Sequence, residues 1–247
     1  MPHPMKHPFW NALSRHPFGV LLLALFLMLA LAPCTSLLTA MMPDFHGIAV
    51  IAPLSLLVIA ASLLALWKKR ARHHAFQLFV GGVLILLLAL GAIINHHGLA
   101  LTQIAAEILF LGYVLIVVER AVFHSREVTS DILCGAVCVY LLFGVLAGFV
   151  FLLIEHLAPG SFLISNLGVN PVLQEKVFIH DPGWLLYFSF VTLTTVGYGD
   201  VLPANAIARS AAVLVAVIGQ ILLMVQIARL VGLHVAQGSD PTTNSKK

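Results

Sequence analysis

The chain has 247 residues, 60% of them hydrophobic and only 9% charged, with a mean hydropathy of +1.02. A soluble globular domain carries about 25% charged residues, so the composition excludes that class and implies an integral membrane protein. The net charge of +3, with no arginine-rich or aromatic-interleaved patch, gives no footing for nucleic acid binding.

Residues 1–17 form a polar, proline-dotted segment containing Lys6 and Arg15. The first apolar stretch, 18–40, leaves two readings open. Basic residues followed by an apolar run resemble a signal peptide, and Leu31-Ala32-Pro33-Cys34 resembles a lipoprotein cleavage box. Pro33 directly before Cys34 fits that box poorly, and apolar character resumes at Leu37, which favours a retained, proline-kinked span. Further spans are predicted over 47–67, 75–94, 98–118, 132–154 and 206–233. Each is long enough to cross ~30 Å of hydrocarbon, and helix is the only state that satisfies a lipid-facing backbone there. Cys134 and Cys138 lie one helical turn apart within an apolar run; together with Cys34 they make no metal-ligand pattern and suit helix packing.

Topology follows from lysine and arginine. Placing the N-terminus, the basic 68–74 loop, the 119–131 linker and the C-terminus in the cytoplasm leaves only Lys176 and Arg209, of thirteen such residues, outside. Residues 18–118 are then four peripheral helices and 132–235 a pore domain, followed by a short tail, 236–247. Between the last two spans lies a run too short to cross, 182–194, with Asp181 and Pro182 as cap and first helical residue. It must be re-entrant, with its negative dipole end directed toward the bilayer centre. The expected fold class is an all-α membrane protein with six transmembrane helices, a re-entrant pore helix and a filter loop at 195–200.

That loop is Thr195-Val196-Gly197-Tyr198-Gly199-Asp200, preceded by Thr194. Carbonyls of a Thr-Val-Gly-Tyr-Gly loop can replace the hydration shell of K⁺ when four copies surround one axis. Aligning successive carbonyls demands backbone angles that a Cβ resists, and Gly197 and Gly199 have none. The Thr195 hydroxyl can add one more oxygen, and Tyr198 can wedge the loop against its support.

The stretch from Thr192 to Asp200, with Pro203, Arg209 and Gly219 following at matching intervals, resembles the pore of the potassium channel superfamily, ion-channel-2 type. The resemblance covers roughly 132–235. It implies K⁺ coordination by the carbonyls of Thr195, Val196, Gly197 and Tyr198. It implies filter support from Thr194, Gly199, Asp200, Tyr187, Phe188 and Val191, and a cavity and gate lined by Leu223, Ile227 and Val231. Gly219 is either a bending point or a close-packing contact. Many relatives carry a Trp-Trp pair where this chain has Tyr187-Phe188, and some carry glutamate where it has Val191. On that reading Asp200 lacks both of its familiar partners.

A ladder of arginines is what a voltage sensor requires. The 98–118 span contains neither arginine nor lysine, so a sensor of that kind is not expected. Its single charge, Glu107, is a candidate for modulation, as is Arg209 at the outer mouth. The outer-side histidines His46, His96, His97, His156 and His180 share no metal-ligand spacing, and Glu155-His156 is expected to be an interfacial pair. The polar tail after His234 is expected to hold no regulatory domain, which needs roughly a hundred residues or more. One filter motif per chain requires four chains around the pore, so the expected partners are three further copies, the bilayer and K⁺. No cofactor and no enzymatic activity are expected. Rival readings are a subunit of a K⁺ transport system, whose repeats usually keep a single filter glycine, and a less selective cation channel, expected to lose Tyr198 or Gly199.

Overall fold

The computed structural model describes residues 17–41, 62, 81–83, 86, 97–125, 127–165 and 183–238, with backbone alone over 32–41, 97–98 and 238. The predicted spans 47–67 and 75–94, the basic 68–74 loop, the cap at Asp181-Pro182 and the tail beyond 238 lie outside these residues.

The elements whose bounds are described are α1 (Pro17–Met41), α2 (His97–Phe123), α3 (Ser130–Leu157), β1 (Phe162–Ile164), α4 (Gly183–Leu193), β2 (Val201–Pro203) and α5 (Ala206–Gly238); residues 62, 81–83 and 86 are helical too. α1 runs through Pro33 as one helix. α2 extends to Phe123, so the first residues of the expected 119–131 linker are helical. Among the described residues, three helices are long and apolar enough to cross a membrane, within α2, α3 and α5. The described chain is mostly helical, as expected, with one short addition: β1 and β2 pair antiparallel, with Phe162 opposite Pro203 and Ile164 opposite Val201.

α3 is the central element, packed against α1, α2, α4 and α5. Thr129 caps its start, accepting from the Ile132 amide at 3.3 Å. Leu142, Val145, Phe151 and Leu152 of α3 are buried. α1 meets it with Phe18, Leu21, Leu25 and Met28, spaced to fall on one helical face, while Leu23, Phe26 and Leu27 stay exposed. α2 contributes Ile104, Leu111, Val114, Val118 and Val122 in the same way.

Hydrogen bonds gather several helix ends at one end of the bundle. The Phe18 amide donates to Asp131 Oδ1 at 3.0 Å, tying the start of α1 to the start of α3. Cys138 donates its thiol to the Phe18 carbonyl at 3.4 Å. Gln226 and Arg229 of α5 reach the last turn of α2 at this same end.

Candidate functional site

α4 is an 11-residue helix, about 16 Å long, and its position is set by glycines on both neighbours. A Cβ at Gly144 of α3 would lie 2.6 Å from the Phe190 ring, and one at Gly148 would lie 3.0 Å from the Leu186 Cα. On the other side, a Cβ at Gly219 of α5 would come within 2.1 Å of Leu193 Cδ1. Of the two roles open to Gly219, the structure shows the close-packing contact. Polar bonds reinforce the fit. Ser189, fully buried, donates to the Gly144 carbonyl at 2.8 Å. The final helical carbonyl, that of Leu193, accepts from Tyr140 of α3 at 3.1 Å and from Gln220 of α5 at 3.3 Å.

Beyond Leu193 the chain folds back on its own helix. The Thr194 amide donates to Phe190 and that of Thr195 to Thr192, at 2.9 and 3.1 Å. The Val196 and Gly197 amides share the Val191 carbonyl, at 3.0 and 3.3 Å. Val191 therefore supports the loop through its main chain, which its apolar side chain does not reveal. Among the described residues, none donates a hydrogen bond to the carbonyls of Thr195, Val196, Gly197 or Tyr198. Positive φ occurs at every second position: Thr195 (62°), Gly197 (59°) and Gly199 (79°). Thr195 is the one described non-glycine residue in that region, at a cost on the order of 1 kcal/mol. Alternation of this kind gathers like backbone groups on one side of a chain. Gly197 and Gly199 have no atom within 4 Å of a built Cβ, so their requirement is one of backbone angle, not of space.

The far end of the loop has a side-chain prop as well. Tyr187 donates its hydroxyl to Asp200 Oδ2 at 2.6 Å, so Asp200 does have a side-chain donor. The Tyr187 and Tyr198 rings stack with centroids 6.4 Å apart and planes 2° from parallel. Phe188, unable to donate, instead packs in a trio with Phe151 and Phe162, at centroid distances of 5.2 and 5.5 Å.

The segment leaving the loop is sewn to the turn after α3. Ser165 donates its amide to the Asp200 carbonyl at 2.9 Å, and Ala204 to Ser161 at 2.7 Å. Glu155, expected in an interfacial pair with His156, is buried: its carboxylate accepts from the Gly160 amide at 2.8 Å and the Phe162 amide at 3.0 Å. His156 is buried too, its Nδ1 3.0 Å from the Leu152 carbonyl. Asn205 caps α5 through the Ala208 amide and donates to Ser161 Oγ at 2.6 Å. Arg209 donates to the Pro203 carbonyl at 3.3 Å and is otherwise exposed.

Leu223, Ile227 and Val231 lie exposed along α5, which packs on the rest of the chain through Ala208, Ala212, Val215 and Gln226. Glu107 is buried in α2, 3% exposed, far along the chain from the loop. Among the described residues, no three His, Cys, Asp or Glu side chains cluster as a metal site.

Sequence reasoning passed over Tyr140, Gln220, Gln226 and Arg229. Their common signal is polarity within or beside an apolar span, where a polar side chain needs a partner.

Residues 135–234 match a family model described as Ion channel. The matched stretch is less than half of the chain and runs from α3 to near the end of α5, enclosing α4 and the loop. It supports ion channel function and ion transport for this region. No curated protein and no solved structure matches the chain.

Proposed function

We propose that the chain is one of four identical subunits of a K⁺-selective channel that conducts passively, without cofactor or enzymatic chemistry. The observation carrying this reading is the alternating positive φ at Thr195, Gly197 and Gly199, with amides of the loop tied back to α4. Amides so engaged leave the carbonyls of residues 195–198 as the groups able to replace a hydration shell. Four copies around one axis supply the ring, and the exposed apolar face of α5 supports that assembly. Leu223, Ile227 and Val231 line the cavity and gate.

The protein sits in the cell membrane with both termini cytoplasmic, which places the converging ends of α1, α2, α3 and α5 on the inner side. Glu107 and Arg209 are the positions at which modulation is sought first, Glu107 through the pH dependence of current in Glu107→Gln. The central test is flux into liposomes holding the purified protein. Rb⁺ uptake that Ba²⁺ blocks and Na⁺ does not share is expected. Equal Na⁺ and Rb⁺ uptake favours a less selective cation channel, and dependence on a second ion gradient favours a transport system.

A further inference from the structure

The last turn of α2 holds backbone carbonyls that no later turn of its own helix can satisfy. Arg229, on α5, fills that role from another element. Its guanidinium donates to the Val122 carbonyl at 2.6 Å, to that of Phe123, and to that of Ser125 at 2.8 Å. The same group lies over the Phe123 ring, 4.9 Å from its centroid. Less than one turn earlier, Gln226 is buried and donates to Glu119 Oε2 at 3.1 Å. A planar fork with several fixed donors suits three convergent carbonyls, and a cation at a helix C-terminus is favoured by the dipole.

We propose that Arg229 and Gln226 form a latch that makes the end of α2 and the gate half of α5 move as one body. The inference rests on the reading of α5 as the pore-lining helix. Leu223, Ile227 and Val231 share α5 with the latch, so opening the pore there must either carry the end of α2 along or break these bonds. The outer helices thereby bear on the gate directly, with no charged ladder involved.

The experiment compares the full-length protein with Arg229→Gln, Gln226→Leu and Glu119→Gln in planar bilayers and, separately, by hydrogen–deuterium exchange in nanodiscs. Open probability is expected to change about tenfold in Arg229→Gln, the weight of one charge-assisted hydrogen bond. Single-channel conductance and K⁺ over Na⁺ selectivity stay as in the parent, which a general loss of structure would not allow. Gln226→Leu and Glu119→Gln shift open probability in the same direction by smaller, non-additive amounts. Exchange over residues 119–125 rises in Arg229→Gln.

Open probability within twofold of the parent in all three variants overturns the latch. So does unchanged exchange over 119–125, and that readout holds even if the parent conducts no K⁺, a result that would instead remove the channel reading. If Arg229→Gln does not assemble, the other two variants decide.

Discussion

α3 and α5 are equally convincing as apolar helices, yet the folded chain treats them differently. Over their most apolar windows α3 is 61% buried within the chain and α5 only 22%. Both are of spanning length, so hydropathy alone does not separate them. The difference lies in what each has to bind. α3 finds α1, α2, α4 and α5 around it, whereas α5 uses one narrow face, Ala208, Ala212, Val215 and Gln226, and leaves Leu214, Val217, Ile218 and Ile221 uncovered. A helix with its apolar surface mostly unclaimed by its own chain is suited to lipid and to further copies. A helix that is mostly buried is the post on which one copy is built.

The sharpest way to break this contrast is to place the same polar group on each helix. Leu142→Asn, fully buried on α3, should remove about 3–5 kcal/mol from the fold, read as loss of monodisperse protein in detergent. Leu214→Asn with Ile218→Asn, both exposed on α5, should leave the subunit's helicity and melting intact by circular dichroism while abolishing the proposed tetramer in crosslinking. Identical losses in both variants would erase the distinction.

Smaller effects sharpen it. Gly219→Ala pushes a methyl group onto Leu193 and should cost about 1–3 kcal/mol, lowering the apparent Tm. Trimming the neighbour as well, in Gly219→Ala with Leu193→Ala, should recover part of that loss. Tyr187→Phe keeps the ring against Tyr198 but removes the Asp200 donor. Current during sustained opening should then decay roughly threefold to tenfold faster, at unchanged single-channel conductance; an unaltered decay would mean the bond does not hold the loop.

Much of this was legible in the residue order. The loop announced itself because its glycines and threonines stand at fixed spacing, and the helices bounding it followed from hydropathy and length. α4 lies within one residue of expectation at each end, and α5 starts where expected but runs five residues beyond 233. What stayed hidden were the pairings between distant parts of the chain. Nothing near Phe162 says that it will lie opposite Pro203, because a three-residue strand has too little alternation to register. Asp200 looked unsupported because Phe188 and Val191 cannot donate to it, while the donor is the other member of the aromatic pair, Tyr187. Gly219 was ambiguous because a glycine that bends a helix and one that admits a neighbour are the same letter.

The glycines beside α4 carry one more consequence. Phe190 fits the gap at Gly144 and Leu193 the gap at Gly219, so the short helix is keyed from both sides, like a wedge between two notched beams. Its depth is then a dimension of the assembly, inherited from α3 on one side and α5 on the other. Any tilt of α5 about Gly219 presses first on Leu193, the last helical residue before Thr194. On the proposed reading, the geometry that sets the carbonyls of residues 195–198 is therefore also a gauge of how far α5 has moved.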